Sequence, residues 1–144
     1  MFRYTDKHGK VLHDMFQNQA DKQTVYVDGD VKGELREDVR ALAESVNNLI
    51  IVASLGTFST GVNIKNLRNI IFASPSKARI KVLQSIGRGL RKSENKTKAV
   101  LYDIADDLTY KSWKNHTLKH FEERMKIYGG EKFPYKMYMI QLKE

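Results

Sequence analysis

Two arginines and a glutamine share the segment Gln84-Ser85-Ile86-Gly87-Arg88-Gly89-Leu90-Arg91. On a helix, Gln84, Arg88 and Arg91 fall at i, i+4 and i+7, so they occupy one face. Two guanidinium groups spaced i, i+3 can reach one anion together, and their fork geometry matches a phosphate. The spacing therefore indicates phosphate binding by one helical face. An ordinary solvated basic helix is the alternative.

A second polar group lies upstream, where an apolar run ends. Leu49-Ile50-Ile51-Val52-Ala53 leads directly into Ser54-Leu55-Gly56-Thr57-Phe58-Ser59-Thr60-Gly61. The hydroxyls of Ser54 and Thr57 can donate hydrogen bonds, and the glycines let backbone amides approach an anion. In parallel α/β sheets, ligands bind at the carboxyl ends of the strands. The pattern predicts an anion-binding loop there; a hydroxyl-rich turn that caps a short helix is the alternative.

The elements that must position these groups alternate between strand and helix. The periodicity predicts the end of a strand over 1–4, a helix over 7–19, strands over 23–27, 49–53, 68–73, 98–104 and 133–142, and helices over 33–47, 76–92 and 111–128. The run over 49–53 is apolar on both faces, as is typical of a central parallel strand. We therefore expect one α/β domain over 1–144, a parallel sheet flanked by helices on both faces, with 111–144 adding a C-terminal helix and an edge strand.

Composition limits the function classes. The 144 residues include 25 Lys and Arg against 17 Asp and Glu, a formal charge of +8, and such a basic domain favours polyanions. A merely soluble basic surface is the alternative. The chain has no cysteine, which excludes disulfides and thiolate metal sites. With no visible signal peptide and no apolar run near the ~20 residues of a membrane span, we expect a cytoplasmic protein without a membrane partner.

Two further sequence patterns resemble a phosphate-binding loop and a metal site, but neither has the full set of residues required. Gly9-Lys10 lacks the first glycine of a P-loop, and Val11 stands where Ser or Thr must ligate magnesium, so Gly9 is interpreted as structural. His116 and His120 form an i, i+4 pair without a third ligand, so no metal site is predicted.

The C-terminal third adds aromatic, acidic and basic residues. Tyr110 and Trp113 can stack on nucleobases, but we expect them to be partial core. Asp103, Asp106 and Asp107 follow a strand and are interpreted as a turn before the last helix. The predicted C-terminal helix also carries the basic residues Lys111, Lys114, Lys119, Arg124 and Lys126.

The two polar segments, Gln84–Arg91 and the loop that follows the apolar run, together resemble a known family. Gln84-x-x-Gly87-Arg88-x-x-Arg91 resembles motif VI of superfamily 2 helicases, and Ala53-Ser54 through Gly61-Val62-Asn63 resembles their motif V. The sequence from Val52 to Leu67 is similar to that of phage UvsW-type branched-DNA helicases. The resemblance covers nearly the whole chain and corresponds to the second RecA-like domain alone. The sequence departs from many members at three positions, with Asn63 in place of Asp, Ser85 in place of Arg and Leu90 in place of Gly.

The resemblance implies the C-terminal motor domain of an ATP-dependent DNA helicase or translocase, acting on branched or single-stranded DNA in recombination and repair. Arg88 and Arg91 would be arginine fingers, with Gln84 beside the phosphates and Gly61 and Asn63 also at the nucleotide. Residues implied to contact nucleic acid are Arg3, Thr5, Gly29, Ser54 and Thr57; for Gly29, a plain turn glycine is the alternative. ATP with Mg²⁺ would be held mainly by a first RecA-like domain, because this chain has neither a P-loop nor an acidic box.

We therefore expect half of a helicase, inactive alone, whose partners are DNA and the first RecA-like domain. The predicted half-strand at Met1 agrees with a piece of a larger enzyme. A non-catalytic nucleic-acid-binding module of the same fold and an RNA helicase domain are the alternatives.

Overall fold

The computed structural model describes residues 4–19, 21–30, 33–54, 64, 67–73 and 100–141. The elements within them are α1 (Tyr4–Gln19), β1 (Gln23–Val27), α2 (Gly33–Ser45), β2 (Leu49–Ala53), β3 (Asn69–Phe72), β4 (Val100–Asp103) and α3 (His116–Gly130). Across these ranges, every helix is too short or too polar to cross a bilayer.

β1 and β2 lie side by side as a parallel pair. Gln23 is beside Leu49, and Val27 is beside Ala53. Both strands have the bounds that their apolar and β-branched runs predict. Parallel neighbours need a crossover connection, which α2 provides between the end of β1 and the start of β2.

Different helices cover the two faces of this pair. Tyr26 faces α1, where a Cβ added to Gly9 would lie 2.9 Å from the tyrosine ring. A residue without a side chain lets the helix approach this closely, which supports the structural interpretation of Gly9. Successive strand residues point to opposite faces. Ile51 is beside Val25 in the ladder and packs with Ala43 of α2 on the other face.

β3 and β4 form a second parallel pair, from Asn69 beside Val100 to Phe72 beside Asp103. α3 covers one of its faces through Tyr128, which is buried. The residues packed against Tyr128 are Phe72, Leu101, Met125 and Phe133. The sheet order among the described residues is therefore two parallel ladders with helices packed on them.

Two helices begin at residues other than those predicted. α1 starts at Tyr4, so the prediction of a strand reaching Tyr4 is wrong, and Thr5 lies in the first helical turn. The apolar alternation there covered too few residues to distinguish a strand from a helix. α3 begins at His116 instead of Lys111, because Lys111 has a φ of 53°, which a right-handed helix excludes.

The end of the chain also differs from the prediction. Gly129 and Gly130 belong to the last turn of α3 instead of following it, and the left-handed residue is Lys132, with a φ of 55°. The edge strand predicted over 133–142 is not formed within 133–141. Met139 and Ile140 of this segment are 87% and 80% exposed. Alternating apolar residues become a strand only when a partner strand supplies the ladder.

Candidate nucleic-acid and nucleotide site

The carboxyl ends of β1 and β2 meet at one edge, as parallel pairing requires. The backbone amide of Ser54, the first residue after β2, donates a 3.1 Å hydrogen bond to the carbonyl of Val27. Asp28 and Gly29 follow Val27, so the two strand ends place the predicted contact residues Ser54 and Gly29 close together. This is the edge at which open parallel sheets bind ligands.

Thr5 lies toward the same edge. Gly9 of α1 is opposite Tyr26, while the helix ends at Gln19, shortly before β1 begins at Gln23. The helix therefore runs antiparallel to β1, and its first turn points to the carboxyl end of the strand. Thr5 is one turn before Gly9, about 6 Å further along the axis. Three of the five predicted nucleic-acid contacts thus share one end of the β1–β2 layer.

The turn after β1 is held by its own polar groups. Asp28 accepts a 3.1 Å hydrogen bond from the amide of Asp30, and the Gly29 carbonyl accepts one of 3.4 Å from Arg36. Gly29 is exposed, and among the described residues no atom lies within 4 Å of a Cβ added to it. Two carboxylates flank this glycine and oppose a phosphate. Arg36 brings a positive charge to the same turn through its bond to the Gly29 carbonyl, a contact that sequence reasoning missed because Arg36 is seven residues away.

The remaining predicted site residues lie outside the described residues. They are Arg3, Thr57, Gly61, Asn63, Gln84, Arg88 and Arg91. The structure describes the two residues that bracket the motif V loop, and both are fixed. Ser54 is bonded to β1, and Ile64 is 2% exposed against Ala43 of α2.

A buried ionic cluster joins β4 to α3. Arg124 donates from Nε to Asp103 Oδ2 at 2.7 Å and from Nη2 to Oδ1 at 2.6 Å. The side chains of Arg124 and Asp103 are 1% and 9% exposed, so this basic residue of the C-terminal helix is buried and paired. Tyr128 adds a 2.6 Å hydrogen bond from its hydroxyl to Asp103 Oδ2. Burial first, and then this bond to a carboxylate, raise the pKa of Tyr128 well above its usual value.

A sequence signal for this burial existed. Arg124 falls three residues after Phe121 and four before Tyr128, within the apolar stripe of the helix. A charge at such a position requires a partner. Asp103, the last residue of β4, is that partner and not part of the turn that we predicted for the three acidic residues.

The two aromatic residues before α3 are exposed, so the expectation of partial core is wrong. Tyr110 is 70% exposed and Trp113 is 57% exposed. They exchange two backbone hydrogen bonds of 3.0 Å each across a tight turn. The turn replaces the first helical residues that the sequence pattern predicted.

The described residues offer no metal centre, since no three potential ligands gather among them. His116 and His120 are neighbours, with ring centroids 6.4 Å apart.

Comparison with known proteins adds sequence relatives. The ATP-dependent DNA helicase uvsW of Enterobacteria phage T4 is 40% identical over 152 residues, covering 99% of this chain and 30% of that protein. Putative helicase 22 of a Sulfolobus islandicus filamentous virus is 37% identical over 71 residues, covering 49% of this chain and 12% of that protein. The chain thus spans less than a third of the length of these relatives.

A structural relative agrees with the fold. The C-terminal part of the Fun30 ATPase domain matches with a TM-score of 0.60 and 13% identity, over 90% of this chain and 46% of that one. With its parallel pairs and flanking helices, the chain has the RecA-like α/β fold that its motifs predict. The model of the helicase conserved C-terminal domain matches residues 1–93, more than half of the chain. The chain therefore belongs to the helicase conserved C-terminal domain family, the second RecA-like domain of superfamily 2 helicases.

Proposed function

We propose that this chain is the C-terminal motor domain of an ATP-dependent DNA helicase or translocase that acts on branched or single-stranded DNA in recombination and repair. The observation that carries the proposal is the pairing of motifs V and VI in a chain 40% identical to a DNA helicase along almost its entire length. The position of Ser54, Gly29 and Thr5 at one sheet edge supports the proposal, because a single DNA strand that follows this edge would pass all three residues.

The role proposed for this edge is to hold the DNA backbone. Ser54 follows a rigid strand, and its amide is already bonded to Val27, so the loop that it begins starts from a fixed position. The hydroxyls of Ser54 and Thr57 donate to phosphate oxygens. The exposed backbone at Gly29 receives the sugar–phosphate chain, and no atom of the described residues would crowd a Cβ at this position.

The role proposed for motif VI is catalytic and acts across a cleft. ATP is the substrate, and Mg²⁺ arrives with it on the first RecA-like domain, a partner that supplies the P-loop. Arg88 and Arg91 stabilise the charge that develops on the γ-phosphate, and Gln84 contacts the phosphates beside them. Gly61 and Asn63 connect the DNA-binding loop to the nucleotide. Because the two domains close on ATP and open after hydrolysis, each cycle moves the DNA contacts along one strand.

The test uses the complete polypeptide that carries this chain, with single-stranded and branched DNA. Arg88→Ala and Arg91→Ala should each lower the kcat of ATP hydrolysis by about 10³- to 10⁵-fold, the range measured for arginine fingers. DNA affinity should change little. Arg40→Ala is the matched control, since Arg40 is bonded to Glu37 at 2.8 Å on α2 and should leave kcat unchanged.

Two outcomes would contradict the proposal. Wild-type ATPase in both arginine variants would refute the finger assignment. DNA binding without any ATPase in the complete polypeptide would favour the non-catalytic binding module. The 144-residue chain by itself should hydrolyse no ATP, and activity should appear when the first domain is joined to it.

A further inference from the structure

The turn between β4 and α3 presents two large rings to solvent. We name residues 110–113 the aromatic turn. Tyr110 and Trp113 form an antiparallel bridge in which each amide donates to the other's carbonyl at 3.0 Å. Residues directly opposite in such a pair carry their side chains on the same face. Both rings, 70% and 57% exposed, therefore stand on one side of the turn.

The aromatic turn is fixed to the body of the domain. Asn115, only 7% exposed, accepts a 3.2 Å hydrogen bond from the amide of Leu108 and donates one of 3.0 Å to the carbonyl of Asp106. Thr117, in the first turn of α3, donates to the same carbonyl at 3.2 Å. Both sides of the turn are thus tied to the start of α3. A ligand that stacks on pre-positioned rings loses less entropy than one that must order them.

The charges around the rings suit a polyanion with flat groups. The Lys111 ammonium is 5.4 Å from the centroid of the Tyr110 ring, so a cation lies beside an aromatic face. Lys114 is also next to the turn, in an ion pair with Glu122. Asp107 is the nearest carboxylate in sequence, and it accepts a 3.0 Å hydrogen bond from the amide of Thr109 in its own loop.

Single-stranded nucleic acid is the ligand that combines these features. Its bases stack on aromatic side chains while lysines and arginines meet the phosphates. Tyr and Trp are also enriched in protein interfaces, but the formal charge of +8 favours a polyanion over an average protein surface.

We propose that the aromatic turn stacks unpaired bases of single-stranded DNA on Tyr110 and Trp113, with Lys111 at the neighbouring phosphate. The inference rests on the proposed function, in which the chain acts on a DNA strand. It adds a base-contacting site outside motifs V and VI, beyond the residues 1–93 that match the family model.

The chain offers a specific probe, because Trp113 is its only tryptophan. Titrating the 144-residue chain with oligothymidylate of about 16 nucleotides, near the upper site size of single-strand-binding folds, should quench the Trp113 fluorescence to saturation. An abasic strand of equal length carries the same phosphates without bases and should quench far less. Duplex DNA of equal length, whose bases are already stacked, should behave like the abasic strand.

Variants separate base stacking from phosphate attraction. Trp113→Ala should weaken oligothymidylate binding, followed by anisotropy of a labelled strand, by about 5- to 150-fold, the loss of one stacked base. Trp113→Phe keeps a ring and should lose less. The salt dependence should stay that of the wild type in both, because no phosphate contact is removed. Tyr138→Ala is the matched control, since Tyr138 is a 77% exposed ring that does not belong to the aromatic turn, and this variant should bind as the wild type does.

The outcomes are distinct from those of the motor proposal. Wild-type oligothymidylate affinity in both Trp113→Ala and Tyr110→Ala, or the absence of quenching, would overturn the stacking site even if the complete polypeptide has DNA-stimulated ATPase. Quenching and weakened binding as expected would support the site even if that polypeptide hydrolysed no ATP. Unchanged circular dichroism should accompany the variants, because both rings are exposed.

Discussion

The Asp103–Arg124 pair gives a direct test of how β4 and α3 are held together. Asp103→Asn removes the negative charge but keeps the shape of the side chain, so the guanidinium of Arg124, 1% exposed, then faces a neutral amide. Removing one partner of a buried ion pair typically costs about 3–5 kcal/mol. Because a domain has only about 5–15 kcal/mol of stability, the variant should lose a large share of it. Arg124→Met should lose a similar amount, since it leaves a buried carboxylate.

The combined variant is the discriminating one. Replacing a buried ion pair by well-packed apolar residues is often neutral or stabilising by about 1–4 kcal/mol. The hydroxyl of Tyr128 would then lack the carboxylate that accepts its 2.6 Å hydrogen bond, so the replacement must include Tyr128→Phe. We expect Asp103→Leu, Arg124→Met and Tyr128→Phe together to be much more stable than either single variant, and close to the wild type.

Urea unfolding of the 144-residue chain, followed by far-ultraviolet circular dichroism, measures these differences. If the slope of the free energy of unfolding against urea concentration is unchanged, the variants differ in stability and not in the surface exposed on unfolding. Lys126→Met is the control, because Lys126 forms an i, i+3 pair with Glu123 on the same helix at 71% exposure and should leave the midpoint unchanged. A midpoint for Asp103→Asn equal to that of the wild type, or a triple variant as unstable as the singles, would refute the reasoning.

Two further predictions concern Tyr128 and two glycines. Folding raises the pKa of Tyr128 above its ordinary 10.0 through burial and the hydrogen bond to Asp103. The contribution of Tyr128 to the free energy of unfolding should therefore be constant below that pH and fall above it. Urea midpoints against pH should show this fall in the wild type and less of it in Tyr128→Phe; identical profiles would contradict it. Gly9→Ala should lower the urea midpoint, because the new Cβ would lie 2.9 Å from the Tyr26 ring. Gly129→Ala should raise the free energy of unfolding by up to ~1 kcal/mol, because Ala favours a helix over Gly and no atom of the described residues lies within 4 Å of the added Cβ. A higher midpoint for Gly9→Ala would show that the ring moves aside easily.

The local sequence pattern was sufficient to predict the bounds of an element where its residues fit only one environment. β2 was predicted to the residue, because a five-residue apolar run bounded by Asn48 and Ser54 has few other uses. β1 was likewise predicted to the residue. The alternation of strands and helices was sufficient for the fold class, since a parallel pair requires a crossover helix.

Sequence periodicity failed to predict the structure where a residue far away in the sequence determines the burial or the backbone of a segment. Whether Arg124 is solvated depends on Asp103, which is 21 residues away in sequence and adjacent in space. The start of α3 depends on the left-handed backbone of Lys111, which no side-chain periodicity reveals. The exposure of Trp113 depends on what the rest of the domain leaves uncovered. At the sheet edge, the motif resemblance indicated Gly29 and Ser54, but the bond that joins their strands belongs to the folded chain.

The ladder between β3 and β4 bears on how the domain can be dissected. The family model ends at residue 93, yet Asn69–Phe72 pairs with Val100–Asp103, and Tyr128 packs over both strands. A truncation at the limit of family similarity would leave β3 without this neighbour and Phe72 without its cover. The cooperative folding unit therefore extends past the recognisable motifs. Fragments designed for crystallisation or domain exchange should retain the chain at least through Phe133.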